Sequence, residues 1–178
     1  EILLDETLTE ADRQQIRASL GLDEPIPVQY GKWFLNLIRG DMGTSFSERS
    51  PVSQMLAQRL PNTLLLTVSS LIMAVLIGVP LGIYSAYRPN SPLDYGLSFF
   101  SMVGLSVPSF WFGIILIITF AVKLGVLPSA GMYTTGAGRT LPDLLRHMVM
   151  PAFVSMLSPL AQIVRYTRSS VFEVLNLD

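Results

Sequence analysis

Three long stretches of this chain carry no charge, and they set its layout. Asn62 to Tyr87, Tyr95 to Val122 and Met148 to Val164 contain no Asp, Glu, Lys, Arg, His or Cys. A helix needs roughly 20 apolar residues to cross a bilayer core, and the third stretch stands near the short end of that range. The pattern predicts three membrane spans, over about 62–87, 95–122 and 148–168. Ahead of them Glu1 to Leu60 is polar, with nine acids and six bases. The expected layout is an all-α polytopic integral membrane protein: a helical segment over 1–60, then a membrane domain over 61–178.

Local signals subdivide this plan. Thr9-Glu10-Ala11-Asp12 has capping-box form and predicts a short helix stopping at Gly21. Pro27 suits the first turn of a second helix. There Tyr30, Trp33, Phe34, Leu37 and Ile38 recur at three- and four-residue steps before Gly40. Their shared face either packs against the rest of the protein or lies in the membrane interface, where Trp and Tyr are favoured. Asp41 to Ser45 reads as a loop. Ser50-Pro51 predicts a further short helix to Arg59-Leu60, with Pro61 opening the first span.

Ser91-Pro92-Leu93-Asp94 is a well-formed helix start: cap, proline in the first turn, acid at the third position. A helix from there to Lys123 would be about 45 Å long, against a hydrocarbon core of about 30 Å. It must tilt, kink or protrude, and Pro108 is the expected kink point. Thr140-Leu141-Pro142-Asp143 caps a short helix leading into the third span. That span holds Pro151 and Pro159, ends at Arg165 and Arg168, and continues as a polar helix. Thr63, Thr67, Ser69 and Ser70 are expected to satisfy helix backbone or neighbouring helices.

Composition narrows the function classes. Half the residues are hydrophobic and 14% are charged, against about a quarter in soluble domains. The net charge is −1 and there is no basic tract, so nothing supports nucleic-acid binding. There is no cysteine, and His147 is the single histidine. No metal site or cofactor is expected. No Ser/His/Asp or Cys/His set, paired acids or phosphate-binding glycine loop stands out, and the spans offer no acid, base or metal ligand. An enzyme is therefore not expected, and a non-transporting membrane scaffold is one reading of such a chain. Irregular backbone at membrane depth survives only against protein or a water-filled cavity. Gly104, Ser106, Pro108 and Ser109 are thus candidates for a helix kink or the wall of a pathway; a packing notch is the alternative. Phe110-Trp111-Phe112 reads as bulk rather than a ligand box. The chain starts at Glu1 and ends within a continuing helical pattern, so sequence beyond both ends is expected.

Several short motifs resemble one family in order. They are Leu20-Gly21-Leu22-Asp23, Pro27-Val28-Gln29-Tyr30, Gly40-Asp41-Met42-Gly43-Thr44-Ser45, Pro51-Val52 and Arg59-Leu60-Pro61-Asn62-Thr63. Gly78-Val79-Pro80-Leu81-Gly82, Leu105-Ser106-Val107-Pro108-Ser109-Phe110-Trp111, Leu127-Pro128-Ser129-Ala130-Gly131 and Met150-Pro151-Ala152 follow. The resemblance is to permease subunits of the bacterial dipeptide, oligopeptide and nickel ABC importers.

That resemblance implies the transmembrane domain of a type I importer, forming half of a substrate pathway across the cytoplasmic (inner) membrane. It implies a second permease subunit, two ATPase subunits that hydrolyse ATP, and an extracytoplasmic substrate-binding protein. It also implies a membrane helix before Glu1 and an ATPase-docking segment after Asp178, approached by Arg168 and Glu173. Counting Lys and Arg does not orient the chain: Arg88, Arg165 and Arg168 flank one side, Arg59, Lys123, Arg139 and Arg146 the other. The resemblance implies that Glu1 to Leu60 and Val126 to Arg146 lie outside the cytoplasm.

Overall fold

The structure is a computed structural model describing residues 21–45 and 47–176, with Thr9, Ala11, Gln14 and Arg17. The helix expected over 9–21 falls largely outside the described residues. The chain divides into two compact units, Glu1–Asn62 and Thr63–Asp178.

In the first unit, helix α1 spans Ile26–Ile38, with proline in its first turn. The Gln29 side-chain amide donates to the carbonyls of Leu22 and Glu24, at 3.2 and 2.7 Å, and fastens the helix start to the preceding turn. Gly40 ends the helix with φ +87°, a conformation that favours glycine. Tyr30 stacks on Phe34, with ring centroids 6.1 Å apart, and sits 5.8 Å from Trp33. All three rings are exposed, and α1 has no buried residue. An antiparallel bridge between Thr44 and Pro51 closes the next loop.

Helix α2 spans Val52–Tyr87 without interruption. The short helix expected up to Leu60 and the span expected from Pro61 are therefore one element. An internal proline removes one backbone bond and crowds one turn, and a long membrane-type helix tolerates that loss. Ser69 and Ser70 each donate their hydroxyl to the Leu66 carbonyl, at 3.0 and 2.7 Å, so both serve the helix backbone.

In the second unit, α3 spans Pro92–Ser106 and α4 spans Ser109–Leu116, continuing as a π-helix over Ile117–Lys123. Helix α5 spans Leu141–Leu175 and passes through Pro151 and Pro159. The short helix expected from Thr140 is its first turns. Thr140 and Ser91 cap α5 and α3, each side chain accepting from the backbone N–H three residues on. Ala74, Met156, Leu160 and Val164 form the buried core, with Leu81, Leu97 and Ile163 against it. Gly78 and Gly82 bring α2 close to α5. A Cβ on Gly82 would stand 2.6 Å from Thr167 Cβ and 2.9 Å from the Val164 carbonyl oxygen.

Among the described residues there is no β-strand. Helices α2 and α5 are each long and apolar enough to cross a membrane, and α3 with the α4 arm passes the same test as a bent pair, the form of a broken span or a re-entrant loop.

Candidate functional site

The break lies at Val107-Pro108. A residue before proline is driven out of the helical region, and Val107 is extended, at φ −79° and ψ 124°. Pro108 follows at φ −61° and ψ 126° and opens α4 without a side-chain cap. The two arms diverge by 101°. Each arm ends in backbone groups with no intrahelical partner. Such groups survive at membrane depth only against protein or a water-filled space.

Cavities open beside the break. One of about 460 Å³ is bounded by Ser109, the Pro128–Gly131 loop and His147. Another, about 320 Å³, includes Gly104, Val107 and Ser109. A third, about 440 Å³, takes in Ser106 and runs along α3 and α5 past Ser101 to Arg168. Gly104, Ser106 and Ser109 are thus divided among neighbouring cavities, while Pro108 lines none of the three. Gly104 is a looser contact than Gly82: a Cβ there would sit 3.7 Å from Ala161 Cβ. The Ser106 hydroxyl donates to the Met102 carbonyl at 2.8 Å. Phe110 and Trp111 are exposed, whereas Phe112 lies 6.1 Å from Phe153.

Sequence reasoning missed the main polar cluster. Asp94 is 2% exposed. Its Oδ1 accepts from Arg168 Nε and from Ser85 Oγ, both at 2.5 Å. Its Oδ2 accepts from Arg168 Nη2 at 2.8 Å and from the Asn90 backbone N–H at 3.0 Å. Four donors match the lone-pair sites of a carboxylate. Arg168, expected on the approach to a docking segment, anchors α5 to the start of α3 through this contact. Glu173 is exposed near the end of α5 and joins no part of this cluster. His147 Nδ1 lies 2.9 Å from the Asp143 carbonyl oxygen. The Asp143 carboxylate accepts from the backbone N–H and hydroxyl of Thr134, both at 2.7 Å.

Residues 78–178 match the family described as "Binding-protein-dependent transport system inner membrane component". The chain belongs to this family. Residues 5–67 match its companion, the N-terminal segment of such membrane components. The family is a transport component of the inner membrane rather than an enzyme family, and the all-α, multi-helix architecture agrees with it. Among similar proteins, the oligopeptide transport system permease protein AppB of Bacillus subtilis is 44% identical over 99% of this chain and 56% of its own length. A putative peptide permease protein of Brucella suis is 42% identical over 96% of this chain and 54% of its own. A probable peptide ABC transporter permease protein of Sinorhizobium fredii is 40% identical over 97% and 54%. The chain spans about half the length of these relatives.

Proposed function

We propose that this chain forms part of one permease subunit of an ATP-driven importer, lining half of a route for peptides across the cytoplasmic membrane. The observation that carries the reading is the 101° break at Val107-Pro108 with cavities on its flanks. Discontinuous membrane helices are a recurring device of transport sites, because their unpaired backbone needs a polar or hydrated surrounding. A scaffold would have no use for such a defect. The peptide class rests on the names of the similar permeases. In this reading a second permease completes the pathway, two ATPase subunits drive it and an extracytoplasmic receptor delivers the cargo. Gly104, Ser106, Pro108 and Ser109 form the flexible wall, and Arg168 couples the end of α5 to α3.

The test is uptake into proteoliposomes holding the full-length subunit, its partner permease and the ATPases, with receptor and ATP supplied. Labelled peptides should accumulate only when both receptor and ATP are present. Accumulation of nickel ions instead, or of nothing, would overturn the peptide reading.

A further inference from the structure

The cavity of about 440 Å³ between α3 and α5 has an unusual lining. Ser98, Ser101 and Ser106 come from α3, and Arg165, Arg168 and Ser169 from α5. Its volume falls within the range of small-ligand sites. Ser101 and Ser106 lie on one helix with the same local option, a hydroxyl bond to the carbonyl four residues back. Ser106 takes it, on Met102. Ser101 does not: it is 6% exposed and its hydroxyl has no hydrogen-bond partner. A buried hydroxyl left unpaired is costly, so a group entering this cavity that completes it is favoured.

The charges indicate which group. Asp94 is the carboxylate bordering this region, and its acceptors are committed to Arg168, Ser85 and Asn90. Arg165 meets no carboxylate among the described residues, and its guanidinium lies 5.4 Å from the centre of the Tyr166 ring. The lining therefore offers hydroxyls and the exposed Arg165 side chain at its border, beside apolar Leu97, Met102, Leu105 and Val164. It repels a metal cation and suits carbonyl oxygens and an anion.

We infer that this cavity is a resting site for the transported peptide, with Arg165 meeting its terminal carboxylate and Ser101 a main-chain carbonyl. The inference rests on the peptide-importer reading above. Contacts restricted to main chain and terminus leave the peptide's side chains unspecified, as a shared route for varied peptides requires.

The experiment uses the complete transporter in proteoliposomes and one labelled peptide in two forms, with a free C-terminal carboxylate or a C-terminal amide. Arg165→Ala should lower uptake of the carboxylate form about tenfold, the scale of a charged hydrogen bond, while the amide form stays within about twofold of wild type. Arg165→Lys should recover part of the loss. Ser101→Ala should lower both forms alike, about threefold to fivefold. In a Ser98→Cys transporter, saturating peptide should slow alkylation of the new thiol during turnover. Abundance and receptor-stimulated ATPase rate are recorded for every variant, and if Arg165→Ala inserts poorly, Arg165→Lys and Ser98→Cys carry the test. Equal loss of both peptide forms in the Arg165 variants would assign that residue to a lipid headgroup or the partner permease and overturn the inference. Unprotected Ser98→Cys in an active transporter would overturn it too. If the wild type moves no peptide, the parent reading fails first.

Discussion

Arg168 and Asp94, 74 residues apart, meet in a two-point contact, Nε to Oδ1 at 2.5 Å and Nη2 to Oδ2 at 2.8 Å. Fork-to-carboxylate pairing of this kind fixes orientation as well as charge. It joins the last turns of α5 to the first turn of α3. In the proposed transporter, a displacement at the end of α5 reaches the broken span through it.

Removing one partner strands the other. Asp94 is almost wholly buried, and breaking a buried pair costs about 3–5 kcal/mol. Arg168→Ala is expected to destabilise the detergent-solubilised subunit by about that amount. Arg168→Lys should recover only part, because an ammonium cannot make the paired contact. Asp94→Asn combined with Arg168→Gln should be less damaging than Arg168→Ala alone, since no charge is left buried. Denaturant unfolding of the three variants checks the order. A loss below about 1 kcal/mol for Arg168→Ala would mean that water replaces the pair.

Helix packing gives a sharper contrast between two glycines. Gly82→Ala puts a methyl against the Val164 carbonyl oxygen and Thr167, and overpacking of this sort costs about 1–3 kcal/mol. Gly104→Ala meets only ordinary contacts and should be neutral or stabilising by up to about 1 kcal/mol through helix propensity. Gly104→Leu adds bulk beside Ala161 and is expected to part α3 from α5. Thermal melts in detergent, with membrane abundance, separate these cases. Equal tolerance at Gly82 and Gly104 would contradict the close α2–α5 approach.

The parts legible in the sequence were those set by neighbours along the chain. Ser91 and Thr140 announce their helices because a cap acts within three residues. Pro108 announces the break because it constrains Val107 directly. The Asp94–Arg168 contact was not legible. Asp94 already had a sufficient local role as an acid in a first helical turn, and nothing in the spacing of two residues 74 apart reports their meeting. Continuity through Pro61 was hidden for the opposite reason: proline advertises a helix start, while the surrounding helix outweighs one missing bond. The π-helical turn over Ile117–Lys123 leaves no trace in a largely apolar run.

Orientation is tested by thiol labelling. Gly136 and Asn90 hold positive φ, +81° and +61°, so their exposed neighbours Thr135 and Pro89 are better probes. Thr135→Cys should react with an impermeant reagent added to intact cells, and Pro89→Cys only after the membrane is opened. Labelling of Pro89→Cys from outside would reverse the assigned topology.

The break itself is tested most directly at Pro108. Pro108→Ala frees Val107 to turn helical and lifts the penalty of about 3 kcal/mol that proline would place on an unbroken helix here, so the arms of the span should straighten. The subunit should insert at wild-type abundance or above, yet receptor-dependent peptide uptake by the complete transporter should fall at least about tenfold, the equivalent of about 1.4 kcal/mol on the transport barrier. Undiminished uptake at full abundance would show that the 101° turn is tolerated rather than used, and would contradict the pathway role assigned to it.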